Sequence, residues 1–594
     1  MNQISRRSFL ENAGAGALGL GSVLTAEGSG AETRQGNGGH NSGLIRSGMV
    51  NIPTEWSFRS GKAYADPFND VEVDVVFSDP HGKEQKVPAF WAGEQAWTVR
   101  YSSRTAGRHR YRTVCSDAGN TDLHGQTGTF EVLPYSGSNP LSIHGPIRVA
   151  RDGLHFEHAD GKPFFWLGDT WWMGLCKRLR WPEDFHLLAE DRIKKGFSVI
   201  QIVAGLYPDM PPFDARGENE AGYAWEADYA RINPRYFDMA DLRIQYLIDR
   251  GLMPCIVACW GYFLPMMGPK KMKQHWRNIV ARWGAYPVVW CLAGEGTMLY
   301  YTSKRTDESV ASQKRGWTEI GKYVRSIDPY SRLVTIHPSA TARDTVDDQS
   351  VLDFDMLQTG HGGWASIPST VDKVTTDLTR SPKMPVLVGE VCYEGIADSS
   401  RQEIVRFMFW VSMLSGAAGH TYGANGIWQL NTRDKPYGPS PHGRTWGTTP
   451  WETAYQLPGS AQVGLGKQLL TRYEWWRFEA HPEWVDPHWS KEEGEPTGGL
   501  RRPSADIHTS YTMPYAAGIP GEVRVVFVMP MWDSPTIKNL ESRVSYRAFF
   551  FDPRTGNEIP IGPVTAGAGG DWQVPILPTM EAWVIVLDKQ MSHG

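Results

Sequence analysis

Val288-Val-Trp-Cys-Leu-Ala-Gly-Glu295 and Pro385-Val-Leu-Val-Gly-Glu390-Val-Cys-Tyr-Glu394 are apolar runs of strand length that each reach a Gly-Glu pair. A continuous apolar run of this length marks a strand buried on both faces, as in a parallel sheet covered by helices. In a parallel barrel the C-terminal ends of the strands carry the chemistry, so an acid set directly after such a run is held at the rim of the active face. Two acids held this way are the minimal equipment for breaking a glycosidic bond.

Working outward, six further runs of the same kind alternate with helical stretches between about residues 150 and 430. In chain order the set is Phe164 to Trp171, Phe197 to Ala204, Met253 to Trp260, Val288 to Gly294, Leu333 to His337, Phe354 to Thr359, Pro385 to Gly389 and His420 to Trp428. The gap from Asn233 to Arg250 reads as a helix, with Asn233 as cap, Pro234 in the first turn and Gly251 as the stop. The pattern predicts a (β/α)8 TIM barrel. An open doubly wound sheet is the alternative, but it normally lacks acids at so many strand ends.

On both sides of this region the period changes. Residues 45–145 alternate polar and apolar, as in Val71-Glu-Val-Asp-Val-Val-Phe77 and His109-Arg-Tyr-Arg-Thr-Val114, with turn formers at Asp79-Pro-His-Gly82. That predicts an antiparallel β-sandwich. Val523-Arg-Val-Val-Phe-Val528, Tyr546-Arg-Ala-Phe-Phe-Phe551 and Trp583-Val-Ile-Val-Leu587 predict a second one. The expected organisation is a signal and leader over 1–44, a sandwich over 45–145, the barrel over 146–480 and a C-terminal sandwich over 481–594. The leader contains Ser5-Arg6-Arg7-Ser8-Phe9-Leu10 and then a mild Gly- and Ala-rich apolar stretch too short to span a membrane. It resembles a twin-arginine export signal and predicts a periplasmic or extracellular protein with no stable membrane insertion after cleavage.

At 594 residues the chain is long enough for several domains, and its formal net charge of -5 comes without any block of like charges. Nothing in it points to nucleic acid or to an anionic membrane surface. The 25 Trp, 23 Tyr and 22 Phe suit both large cores and sugar-stacking surfaces. Cys115, Cys176, Cys255, Cys259, Cys291 and Cys392 form no C-x-x-C pair and read as buried thiols. No cofactor is expected.

The residues at the proposed strand ends are polar and aromatic, whereas the strand bodies are apolar. They are Asp169 with Trp171 and Trp172, then Gln201, Trp260, Glu295, His337, Gln358 with His361, Glu390 with Tyr393 and Glu394, and His420 with Tyr422 and Asn425. Aromatic faces stack on sugar rings while carboxylates and imidazoles bond hydroxyls, so this rim has the composition of a carbohydrate pocket. Glu295 and Glu390 are the expected catalytic pair. Asp169, Trp171, Trp172, Trp260, His337, Gln358, His361, Tyr393, Glu394, His420 and Tyr422 are the expected substrate contacts. Asp169 reads as a hydroxyl acceptor or else as the cap of the following turn. Glu394 is the rival of Glu390, or a neighbour that orients it or raises the acid's pKa. His337, His361 and His420 lack an H-x-H or H-E-x-x-H pattern, which favours hydrogen bonding over metal ligation.

Several segments together resemble the apiosidase-like glycoside hydrolases. They are Pro163-Phe-Phe-Trp-Leu-Gly-Asp-Thr-Trp-Trp172, Arg192-Ile-Lys-Lys-Gly-Phe197, Trp290-Cys-Leu-Ala-Gly-Glu295, Gly389-Glu-Val-Cys-Tyr-Glu-Gly395 and Ala418-Gly-His-Thr-Tyr-Gly-Ala424. The first sandwich, with Glu55-Trp56 and Phe90-Trp-Ala-Gly93, resembles the β-domain that often precedes this barrel, and the last, with Phe551-Asp-Pro-Arg-Thr-Gly556, a module labelled collagen-binding. The resemblance implies an exo-type glycosidase acting on plant cell-wall or related glycans. By analogy with the retaining clan of barrel glycosidases, it implies Glu295 as acid/base and Glu390 as nucleophile. Two positions depart from the pattern. The family's acid after the fourth strand is an Asp where this chain has Glu295, and the Asn usual before it in the clan is Gly294. A non-catalytic glycan- or collagen-binding protein is the competing reading, opposed by the intact acid pair. A peptidase is opposed by the absence of H-E-x-x-H and G-x-S-x-G.

Overall fold

The computed structural model describes residues 47–490 and 511–589 apart from 532. The proposed export signal and leader lie outside the described residues. All eight expected strands form one parallel sheet: β1 (Trp166–Trp171), β2 (Val199–Val203), β3 (Met253–Val257), β4 (Val289–Cys291), β5 (Val334–Thr335), β6 (Asp355–Gln358), β7 (Val386–Glu390) and β8 (Gly419–Tyr422). Each strand is hydrogen-bonded to its sequence neighbour and β1 to β8, save at the β5/β6 seam. There Asp353 N–H donates to Val334 O at 2.8 Å and Thr335 Oγ1 to Phe354 O at 3.0 Å, so side chain and loop close the barrel where the ladder does not.

Helices α1 (Glu183–Lys194), α2 (Pro234–Asp249), α3 (Phe263–Trp283), α4 (Asp307–Ile327), α5 (Ile367–Asp377), α6 (Gln402–Leu414) and α7 (Pro458–Leu470) surround it. Between β5 and β6 the chain makes only short 3-10 turns. Asn233 caps α2 as its sequence predicts, its Oδ1 accepting from the N–H groups of Arg235 and Tyr236, with Pro234 opening the helix. Strand bodies and inward helix faces merge into one continuous core. All six cysteines are buried and free. Among the described residues no helix is long and apolar enough to cross a membrane.

The N-terminal sandwich pairs a sheet of five strands with one of three around Trp56, Phe77, Trp97 and Phe130. Its edge strand Ser47–Met49 runs parallel to Thr127–Leu133, the one departure from an antiparallel sandwich. Arg100 joins it to the side of the barrel, donating to Asp241 Oδ2 of α2 at 2.6 Å and to Arg282 O of α3 at 2.8 Å. The C-terminal region forms a sheet of six strands and one of three. The larger sheet lies on α6, where Phe527 packs on Phe407 and stacks on Trp410 at 5.9 Å. Residues 404–414 of α6 are buried on every side, which explains why this helix is apolar all round.

Candidate active site

Glu390 is the last residue of β7, and Glu295 stands past the end of β4 on a backbone with φ of +42°. That angle is uncommon for a side chain of this size and costs about 1–3 kcal/mol, a strain characteristic of functional positions. The two carboxylates share one donor. Gln358 at the end of β6 donates from Nε2 to Glu295 Oε1 and to Glu390 Oε1, each at 3.1 Å. The two Oε1 atoms can therefore lie no further apart than twice that length.

The environments of the acids differ. Glu390 Oε1 also receives His361 Nε2 at 2.7 Å, and His337 Nε2 lies 3.1 Å from Oε2 without hydrogen-bond alignment. Burial pushes the Glu390 carboxyl up, but the two imidazoles overcome this and hold it well below the usual carboxylate range. Glu295 receives only Gln358 and a long contact of 3.4 Å from Trp260 Nε1. Burial first, then the charge of Glu390, raises its pKa against smaller opposing effects of His337 and Gln358. The two environments push the carboxyl pKa values apart, Glu295 upward and Glu390 downward, the division that acid–base chemistry uses.

Aromatic rings frame this pair. Trp172 donates to the Tyr393 hydroxyl at 2.9 Å and stands edge-on to Trp260 and His337. Tyr393 lies 4.6 Å from His361, ring centre to ring centre. Two glycines make the packing possible. A Cβ on Gly294 would fall 2.2 Å from the Trp260 ring, and one on Gly423 would fall 2.1 Å from that of Tyr393. The Asn usual before the acid/base is thus excluded here by the Trp260 indole. Across the barrel Gln201 donates to Gly389 O at 2.9 Å and fixes the peptide that carries Glu390. Gln358 Oε1, Glu390 Oε2 and both ring nitrogens of His337 are buried without a partner, which leaves a set of polar atoms ready for hydroxyls.

Trp172, Trp260, Glu295, His337, Gln358, His361, Glu390 and Tyr393 are therefore brought together. Five of the expected contacts are not. Asp169 is fully buried between β1 and α1, its Oδ2 accepting from Arg192 Nε at 2.6 Å and Trp171 Nε1 at 2.7 Å. Trp171 packs edge-on against Phe185 of α1. Tyr422 donates to Glu394 Oε2 at 2.6 Å, and Glu394 Oε1 receives Gly459 N–H at 3.0 Å from α7. His420 faces Phe409 of α6, and burial pushes it down to about 3. The physical reason is the period of two along a strand: residues 169 and 171, or 420 and 422, face the helices while 170 and 421 face the barrel interior. Glu394 is thus no rival for Glu390 but a tie between β8 and α7.

Asp209, in the segment after β2, is a functional candidate that the strand-end reading omits. It lies close enough for its charge to contribute to the raised pKa of Glu295. An acid inside the apolar, proline-rich run Leu206-Tyr-Pro-Asp-Met-Pro-Pro212 was the available signal. Among the described residues no group of three or more His, Cys, Asp or Glu side chains is arranged to hold a metal ion.

Solved structures share this architecture. A glycoside hydrolase family 5 structure from Bacteroides vulgatus is 21% identical, with 76% of this chain and 94% of that one covered and a TM-score of 0.61. Another from the same organism, described as a "putative glycoside hydrolase", is 17% identical over 92% of this chain and all of that one, with a TM-score of 0.64. At these identities the likeness establishes the fold. No curated protein matches the chain. The family description "Domain of unknown function (DUF5060)" matches residues 52–116. The description "Apiosidase-like, catalytic domain" matches residues 150–477, more than half of the chain and every strand of the barrel, so the protein belongs to the apiosidase-like glycosidases.

Proposed function

We propose that this chain is an exported, exo-type glycoside hydrolase that cleaves a plant cell-wall or related glycan with retention of configuration. The observation that carries the reading is the shared donor. Retaining enzymes hold their carboxyls about 5–5.5 Å apart and inverting ones about 6.5–9.5 Å. One Gln358 nitrogen at 3.1 Å from each Oε1 keeps these two oxygens within twice that length, a ceiling that favours the closer spacing of a retaining pair.

In this mechanism Glu295, its pKa raised by burial and by the charge of Glu390, gives its proton to the leaving oxygen while Glu390 attacks the anomeric carbon. The attacking atom is Oε2, since Oε1 is occupied by Gln358 and His361. Water then enters with Glu295 as base, and Glu390 leaves as a free carboxylate. The chain-end preference is supported by the wall on one side of the mouth, where Tyr437 and Ser440 of the segment after β8 bond to Asp209.

The test is product release by the mature protein from pectic oligosaccharides and aryl pentosides and hexosides, beside Glu390→Gln, with the anomer of the first product read by NMR. Release by the wild type, lost in the variant and of retained configuration, is the expected result. An inverted first product removes the nucleophile role from Glu390. Silence across the panel removes the hydrolase reading itself.

A further inference from the structure

Three segments from different parts of the barrel meet on the carboxylate of Asp209. Tyr301, after β4, donates from its hydroxyl to Asp209 Oδ1 at 2.7 Å and receives the Asp209 backbone N–H at 2.9 Å. Ser440, after β8, donates to the same Oδ1 at 2.7 Å, and Tyr437 donates to the Asp209 carbonyl at 2.9 Å. Trp446 completes the wall, its indole donating to Ser440 Oγ at 3.1 Å. His442 stands edge-on to both Tyr301 and Trp446.

The clasp uses only one of the two carboxylate oxygens. Asp209 is 7% exposed, and its Oδ2 takes no hydrogen bond from the described residues, yet it is not among the atoms sealed from solvent. The segment that carries Asp209 is tied to the wall beside Glu295: Trp260, whose Nε1 lies 3.4 Å from Glu295 Oε2, donates its backbone N–H to Leu206 O at 2.9 Å. Among the described residues no Lys or Arg bonds to Asp209, Glu295 or Glu390. Arg305 spends its Nη1 on Thr297 O, and Arg444 is exposed.

We infer that Asp209 selects the sugar at the chain end, accepting hydroxyl hydrogens from a neutral residue and turning away a uronic acid. The inference rests on the glycosidase reading and narrows its substrate class. An ionised carboxylate has acceptors only, so it rewards a hydroxyl and meets a second carboxylate with repulsion and no shared proton. A hydrogen bond to a charged group is among the stronger polar contacts, so selection of at least about tenfold is expected. Because three loops fix the group before substrate arrives, little of that is lost to reorganisation.

Matched aryl glycosides that differ only in a hydroxymethyl group or a carboxylate at C5 are the probe. Turnover is measured in the wild type, Asp209→Asn and Ser440→Ala. Binding is measured by tryptophan fluorescence in Glu390→Gln with and without Asp209→Asn. The expected result is a neutral-over-uronide preference of at least about tenfold, brought near parity by Asp209→Asn and kept by Ser440→Ala, which leaves the charge in place. A preference for the uronide, an unchanged ratio in Asp209→Asn, or no binding of either member overturns the inference. So does loss of the preference in Ser440→Ala, which assigns it to loop shape. Discriminating binding without turnover leaves the inference standing and sinks the hydrolase reading.

Discussion

Glu295 and Glu390 take their hydrogen bonds from the same nitrogen, Gln358 Nε2, at 3.1 Å each. An amide nitrogen has two hydrogens, so one side chain donates to both acids and limits their separation. Replacement by Leu keeps the volume but removes the donor. Glu295 then loses a contact that lowers its pKa, so the alkaline limb of the pH profile moves to higher pH in Gln358→Leu while kcat/KM falls by roughly 10²-fold. An unmoved alkaline limb at reduced activity would mean that Gln358 merely packs.

Under the proposed mechanism the two limbs of the wild-type profile follow from the opposed environments. Glu390 must be ionised, and its pKa is held below the usual range, so activity persists at unusually low pH. Glu295 must be protonated, and its pKa is raised, so the alkaline fall comes later than for an ordinary glutamic acid. His361→Asn keeps a donor at 361 but removes the imidazole that lowers the Glu390 pKa. Its acid limb is expected at higher pH than the wild type's, with the alkaline limb nearly fixed. Measurement of kcat/KM against pH for both proteins decides it.

Asp169 and Arg192 form a fully buried ion pair at 2.6 Å behind β1. Breaking a buried pair outright costs about 3–5 kcal/mol, and that is the upper bound here because Arg192 Nη1 keeps Asp191 Oδ2 as a second carboxylate partner. Asp169→Asn is therefore expected to lower stability by up to that order in denaturant unfolding while leaving KM unchanged below the transition. A raised KM with unaltered stability would return Asp169 to the substrate.

Phe527 of the C-terminal sheet is packed between Phe407 and Trp410 of α6. Truncation to Ala opens a cavity at the joint and costs about 3–5 kcal/mol. Because α6 belongs to the barrel, Phe527→Ala is expected to lower the barrel's own melting temperature, read from near-ultraviolet circular dichroism. Separate transitions, with only the smaller one shifted, would mean that the sandwich is an independent appendage.

The strands and the acid pair were legible because they rest on a one-dimensional signal, an apolar run followed by Gly-Glu. Which side of a strand faces the mouth was not. In Trp166–Trp171 and Gly419–Tyr422 every residue is buried, and large or polar side chains point both ways, so polarity alone does not reveal the parity. Asp169 and Tyr422 looked like rim residues for that reason, although they serve the helix layer. Asp209, Tyr301 and Ser440 were hidden for a different reason. They sit on long connections whose meeting point depends on the closed barrel, and no local pattern encodes a contact between residues 209 and 440.

The position before Glu295 offers the sharpest test of how the acid is aimed. A Cβ on Gly294 would fall 2.2 Å from the Trp260 ring, far inside contact distance, so Gly294→Ala must displace the indole. The indole carries the Nε1 that lies 3.4 Å from Glu295 Oε2, and it packs edge-on against Trp172 and at a tilt against His337. Overpacking of this kind costs about 1–3 kcal/mol of stability. The larger effect is expected on catalysis, a fall in kcat on the order of 10²-fold, because misplacing a proton donor by about 1 Å is enough for that. Trp260→Phe, which removes the N–H but keeps a ring, is expected to lose less. If Gly294→Ala retains wild-type kcat with a lowered melting temperature, the indole fills space and does not position the acid.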